Sequence, residues 1–268
     1  MNTAEDRSSA PFRGPERLAC SLDDLVERAG ALAVAGSRRI LGIAGAPGAG
    51  KSTVAQAIAD ALDGQAARVG MDAFHLANEV LAAHGSRDRK GAPDTFDPWG
   101  YANLLRRLKT NDEPVVYAPM FDRSLEESIG SAVPVERDVP LVITEGNYLL
   151  LDAEGWRECR EQIDEVWFLD ISDGERQLRL LRRHEAFGKL PEEAEAWALG
   201  SDQRNADVVA STRERADLII DLRYAQSRET FAQPSTKRKT EVTTQRSVSG
   251  CSAGASAIVP YQLTGLTS

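Results

Sequence analysis

The chain has 268 residues, which is enough for one sizeable α/β domain with a buried core. Its 41 acidic and 32 basic side chains give a net charge of −9, which argues against non-specific binding to nucleic acid or to a membrane surface. The three cysteines are far apart and form no metal-binding pair, and no apolar run approaches membrane-spanning length. We therefore expect a cytoplasmic protein without nucleic-acid or membrane partners.

Residues 1–20 are polar and contain Pro and Gly, so they are predicted to form a flexible N-terminal arm. Ser21 and Asp24 predict the start of a first helix. Apolar runs then predict strands at 40–44, 66–71, 115–117, 140–144, 166–171 and 218–222. Helices are predicted to start at or near residues 52, 74, 98, 152, 173 and 191. This alternation predicts an α/β fold with a mostly parallel central sheet and helices on both faces.

Residues 41–53, LGIAGAPGAGKST, contain the pattern G-x-x-x-x-G-K-[ST] between a predicted strand and a predicted helix. In that context the pattern indicates a P-loop, whose backbone N–H groups surround a phosphate chain. The fold class is therefore the three-layer P-loop NTPase fold, and the cofactor is a nucleoside triphosphate. The predicted nucleotide-binding residues are Gly45, Ala46, Pro47, Gly48, Ala49, Gly50, Lys51, Ser52 and Thr53.

Two carboxylates follow predicted strands. Glu145 ends the apolar run LVIT, and we predict that it holds Mg²⁺ together with the Ser52 hydroxyl. Asp72 follows the strand AARVGM and is predicted to be the catalytic base, with Lys51 as a second catalytic group. The structural alternatives are that Glu145 caps the next turn and that Asp72 caps a helix over residues 74–81.

Three arginines, Arg176, Arg179 and Arg183, recur at i, i+3 and i+7 on the helix after the strand VWFLDI. A cationic stripe near a strand end is suited to stabilising charge during phosphoryl transfer, so all three are predicted to be catalytic. With the turn at 187–189 they define a predicted lid near residues 176–190. The alternative is a solvated charged face.

The composition changes after Tyr224, where Ser, Thr and basic residues dominate. We therefore predict a catalytic domain over residues 21–224 and a disordered tail over residues 225–268.

With these residues placed, the chain resembles the uridine kinase, pantothenate kinase and phosphoribulokinase family of P-loop kinases. The segments that carry the resemblance are GAPGAGKST, MDAFH, GAPDTFD, VYAPMFDRSLEE, LVITEGNYLLL and RQLRLLRR, in that order. The resemblance covers about residues 40–222. Bacterial members that share the phrase EGNYLLLD are nucleoside or nucleotide kinase-like, and some are fructose kinase-like.

The resemblance implies that Asp72 lies beside the phosphate-accepting hydroxyl and that Asp94 binds hydroxyls of the acceptor. It also implies acceptor contacts for Tyr117 and Arg123. One departure is His75, where uridine kinases usually have an aromatic residue. Another is the segment APMFDRS, which replaces their base-binding segment.

The sequence thus predicts an ATP- and Mg²⁺-dependent kinase that phosphorylates a hydroxyl of a small metabolite. A nucleoside is slightly favoured as the acceptor, with a fructose-like sugar and pantothenate as alternatives. A nucleotide-binding regulatory ATPase is the alternative from another class. A homodimer is compatible with the sequence, and the choice between ATP and GTP stays open.

Overall fold

The structure is a computed structural model and describes residues 14–223. Eight strands lie within these residues: β1 (Glu16–Cys20), β2 (Arg39–Ala44), β3 (Ala66–Gly70), β4 (Val115–Asp122), β5 (Glu127–Glu136), β6 (Leu141–Gly146), β7 (Glu165–Asp170) and β8 (Leu218–Leu222). The helices are α1 (Leu22–Leu32), α2 (Lys51–Ala61), α3 (Asn78–Ala83), α4 (Pro98–Thr110), α5 (Trp156–Gln162), α6 (Asp173–Ala186), α7 (Pro191–Leu199) and α8 (Ser201–Ala210).

Six of these strands form a parallel sheet in the order β1-β8-β7-β2-β6-β3, and β4 and β5 form a separate antiparallel hairpin. All six residues of β6 are buried, as expected for a central parallel strand with both faces covered. Helices α1 and α2 pack on one face of the sheet. Helices α4 and α5 and the hairpin pack on the other. The predicted fold class is confirmed.

Two predicted helix starts are also confirmed. Ser21 and Asp24 form a reciprocal capping box at α1, because each side chain accepts a hydrogen bond from the backbone N–H of the other residue. At α4, Asp97 accepts from the N–H of Gly100 at 2.9 Å, and Pro98 occupies the first turn.

Several local predictions are wrong. Residues 16–20 are not a loose arm, because they pair in parallel with β8 as an edge strand. The strand predicted at 115–117 is present but longer, since β4 runs from Val115 to Asp122 and forms a hairpin with β5. Asp152 does not cap α5, which begins after Gly155, and instead accepts hydrogen bonds from Arg157 and Arg215.

The segment after β3 also differs from the prediction. A helix was expected at 74–81, but Met71–Phe74 forms a 3₁₀ turn and α3 begins only at Asn78. Asp72 therefore lies inside the turn and does not cap a helix. The tail predicted at 225–268 lies outside the described residues. Among residues 14–223 no helix is both long and apolar enough to cross a bilayer.

Candidate active site

The P-loop connects β2 to α2, as predicted, and occupies the carboxyl end of the central sheet. Gly48 has φ +84°, and a Cβ atom there would lie 2.6 Å from the carbonyl oxygen of Arg176 on α6. Only glycine fits this position, since a side chain would be strained and would also collide with a backbone atom. The loop is thus in direct contact with the helix that carries the predicted lid arginines.

Lys51 is the first residue of α2, and its side chain is buried. Its Nζ donates to the carbonyl oxygen of Ala46 at 3.1 Å and to Oδ1 of Asn147 at 2.8 Å. An ammonium has three N–H donors, and two of those of Lys51 are used by these acceptors among the described residues. Burial lowers the pKa of Lys51 to about 8, although the charges of Glu145 and Asp72 oppose this shift.

Asn147 is a site residue that the sequence reasoning missed. It follows Glu145 and Gly146 directly, so its position next to a strand-end carboxylate was the available signal.

Glu145 lies on β6 with β2 on one side and β3 on the other, in register with Ile43 and Gly70. It is only 6% exposed, and its Oε1 accepts a hydrogen bond from the Ser52 hydroxyl at 3.0 Å. Burial raises the pKa of Glu145, and the nearby charge of Asp72 raises it further.

The pair formed by Ser52 and Glu145 fits the prediction of a Mg²⁺ site. One hydroxyl and one buried carboxylate are the protein ligands expected where phosphate oxygens and water complete the coordination of Mg²⁺. Between residues 14 and 223 no cluster of three or more His, Cys, Asp or Glu residues that could hold a metal ion occurs.

Asp72 reaches the same end of the sheet from the 3₁₀ turn after β3. The turn packs closely on Gly146, because a Cβ atom at Gly146 would lie 2.5 Å from the Cβ of Met71. Gly146 therefore lets the turn approach the end of β6. Arg123 lies in the turn between β4 and β5. Its Nη2 donates a hydrogen bond to the Asp72 carboxylate at 3.2 Å. The structure thus brings the predicted base and the predicted acceptor-binding arginine together.

The three arginines of α6 have different surroundings. Arg176 is 1% exposed and is held by Asp173, at 2.7 Å, and by Gln203 of α8. Arg179 is half-buried and bonds to Glu175 and, at 3.4 Å, to the carbonyl oxygen of Ala49 in the P-loop.

Arg183 is half-buried, and its guanidinium makes no hydrogen bond or ion pair with any side chain described in residues 14–223. Burial and the charge of Arg123 lower the pKa of Arg183, while Asp202 and Asp72 act in the opposite direction. Arg183 therefore lies among the charges of the site. On the same helix Leu180 is buried, whereas Leu178 is 46% exposed.

The two remaining residues that were predicted to bind the acceptor are both exposed. Asp94 is exposed in the 3₁₀ turn Pro93–Thr95 and forms an ion pair with Arg89. Tyr117 on β4 is 56% exposed, whereas its neighbours Val116 and Ala118 are fully buried. The alternation along the strand therefore puts Tyr117 on the outer face of the hairpin.

A cavity of about 700 Å³ opens beside the P-loop, at the carboxyl ends of β7, β8 and β1. Its walls combine aliphatic side chains with one P-loop residue, two arginines and three carboxylates. The described lining residues are Arg17, Leu18, Ala19, Ala49, Leu169, Asp170, Ile171, Ser172, Glu175, Arg179, Ile219, Asp221 and Leu222. Its volume falls within the usual range of small-molecule sites.

Residues 40–222 match the Phosphoribulokinase / Uridine kinase family. An "ATP-dependent kinase-like protein" of Aspergillus versicolor is 34% identical over 152 residues, which are 53% of this chain and 88% of that protein. A Schizosaccharomyces pombe protein named "Putative uridine kinase" is 31% identical over 185 residues, 66% of this chain and 79% of that protein. The crystal structure of a "putative fructose transport system kinase" from Silicibacter sp. TM1040 superposes with a TM-score of 0.68 and 36% identity. The superposition covers 75% of this chain and 99% of the Silicibacter chain.

Proposed function

The chain belongs to the phosphoribulokinase and uridine kinase family and is a phosphotransferase with a hydroxyl acceptor, and we propose that it transfers the γ-phosphoryl group of ATP to a small polyhydroxylated metabolite. The observation that carries the proposal is the position of Asp72. It lies in the 3₁₀ turn that packs on Gly146, the residue after Glu145, and its carboxylate accepts a hydrogen bond from Arg123 at 3.2 Å.

On the donor side, the P-loop N–H groups and the remaining N–H of Lys51 bind the phosphates. The base of the nucleotide occupies the cavity beside Ala49, where aliphatic walls and the Arg179 guanidinium suit a flat aromatic ring. The carboxylates of that cavity accept hydrogen bonds, which favours a base that presents an exocyclic amino group. Adenine and guanine both present such a group.

Ser52 and Glu145 are the residues that would hold Mg²⁺. When bound, the ion neutralises charge on the phosphate oxygens. Burial raises the pKa of Glu145 even though the charges of Lys51 and of Arg68, whose Nη1 lies 4.0 Å from Oε1 of Glu145, act in the opposite direction. A bound Mg²⁺ would favour the ionised form further.

On the acceptor side, Asp72 orients the attacking hydroxyl and accepts its proton. The Arg123 side chain holds the Asp72 carboxylate in place, and the Arg183 guanidinium stabilises the charge that develops on the migrating phosphoryl group. On binding of the acceptor, Asp94 would exchange its ion pair with Arg89 for hydrogen bonds to hydroxyls of the acceptor.

We place a nucleoside first among the acceptors, and a fructose-like sugar and pantothenate after it. The support for a polyhydroxylated acceptor is that the names of similar proteins point to uridine and to a fructose system, both of which carry several hydroxyls.

The test is a coupled ADP-release screen over nucleosides, hexoses, pentoses and pantothenate, followed by variants at the acceptor side. Asp72→Asn should lower kcat by about 10²-fold or more while ATP affinity is kept, because the variant removes only the base. Asp94→Ala should raise KM for the acceptor and leave KM for ATP unchanged. Asp112→Asn is the matched control, since Asp112 is exposed in the turn between α4 and β4.

A protein that binds ATP but phosphorylates no member of the panel would contradict the proposal. Slow hydrolysis that is indifferent to Asp94→Ala would then favour the regulatory ATPase.

A further inference from the structure

His75 immediately follows the 3₁₀ turn that presents Asp72. Its Nδ1 lies 2.7 Å from the carbonyl oxygen of Asp72, which also accepts from the His75 backbone N–H at 3.2 Å. A carbonyl oxygen can only accept, so Nδ1 carries the proton, and in the neutral ring Nε2 carries none. Burial lowers the pKa of His75, which favours this neutral form even though the Asp72 charge opposes the shift.

The imidazole ring lies between two phenylalanines. Its centroid is 4.0 Å from that of Phe96 and 5.0 Å from that of Phe121. The backbone of His75 also forms an isolated antiparallel bridge with Phe96, flanked by hydrogen bonds from Asp97 N to Phe74 O and from Leu76 N to Thr95 O.

These contacts join three segments that are distant in sequence. Phe96 is two residues after Asp94, and Phe121 is two residues before Arg123. His75 is therefore in contact with the turn of Asp72, the turn of Asp94 and the hairpin of Arg123. All three carry residues of the acceptor side.

We propose that His75 is a positioning residue for phosphoryl transfer. Its Nδ1–H fixes the carbonyl of Asp72, and its ring sets the spacing between the turn that carries Asp72 and the hairpin that carries Arg123. The inference rests on the proposed function, because it concerns the alignment of the proposed base. Misplacement of a catalytic group by about 1 Å can lower the rate by roughly 10²-fold, so a residue that only aligns the base has a measurable effect.

Three substitutions separate the roles of the ring. His75→Asn places an amide N–H near the position of Nδ1, whereas His75→Gln places its polar group near Nε2. His75→Phe keeps an aromatic ring but removes both nitrogens. His84→Asn is the matched control, because His84 is exposed at the end of α3.

We expect His75→Phe to fold with a Tm close to wild type and to lose about tenfold or more in kcat, with KM for ATP and acceptor-independent ATP hydrolysis unchanged. His75→Asn should recover most of the lost kcat, and His75→Gln should not. If His75→Asn does not fold, the His75→Phe result alone decides.

Recovery by His75→Gln and not by His75→Asn would overturn the proposal and indicate that Nε2 contacts the substrate. Loss of ATP hydrolysis in parallel with transfer would also overturn it, since that points to general damage. The proposed function is tested separately: it fails if the wild-type protein transfers phosphate to no acceptor, whatever the variants do.

Discussion

Replacing Gly48 by Ala tests the contact between the P-loop and α6. A left-handed backbone costs an alanine about 1–2 kcal/mol. The 2.6 Å approach of the new Cβ to the Arg176 carbonyl adds about 1–3 kcal/mol of overpacking. The less flexible unfolded chain offsets about 0.4–1 kcal/mol of this. The net loss is therefore about 3 kcal/mol, or roughly 6–12 °C in Tm for a domain of this size.

Gly36→Ala is the matched control, because Gly36 has φ +82° but no atom within 4 Å of the added Cβ. It carries the backbone strain without the collision, so its loss should stay below about 1.6 kcal/mol. Urea denaturation followed by tryptophan fluorescence measures both variants, and ATP titration should show weaker binding only for Gly48→Ala. Equal losses of stability would refute the reasoning, because they would mean that α6 yields freely to the P-loop.

Three further outcomes are expected. Because the pKa of Lys51 is about 8 and bound phosphates favour the charged ammonium, ATP binding at pH 8.5–9 should take up a proton. Calorimetry in buffers of different ionisation enthalpy detects this, and zero uptake would contradict it. Glu145→Gln should weaken activation by Mg²⁺. It should also raise the Tm of the free protein, because it removes a buried carboxylate whose pKa is raised. A lower Tm together with an unchanged Mg²⁺ titration would contradict this prediction. Arg176→Met should lower Tm, because Arg176 holds α8, whereas Arg183→Met should leave Tm unchanged and lower kcat by about 10²-fold. If Arg176→Met lowers kcat at unchanged Tm and Arg183→Met lowers Tm, then Arg176 is the catalytic arginine and Arg183 the structural one.

The donor half of the site could be predicted from the sequence because it is local. The P-loop with Lys51 and Ser52 is one contiguous segment, and Glu145 directly follows the continuous apolar run LVIT. The errors occur where tertiary pairing overrides local pattern. The strand β1 is polar at its start and is stabilised by pairing with β8, which is far from it in the sequence. Strand β5 has little apolar alternation, because its middle residues are exposed and Val135 near its end is its one buried residue.

By itself, the sequence determined the fold class and the P-loop, because hydrophobic periodicity and a contiguous motif specify these locally. The family was identified from the resemblance that several short segments carry in order. The tertiary structure alone decided how the acceptor side is assembled. Asp72 and Arg123 are 51 residues apart and meet only because the hairpin folds onto the 3₁₀ turn. It also separated the arginines of α6, which share one helix face in the sequence but differ in burial, since Arg176 packs beneath α8 while Arg183 lies among the charges of the site.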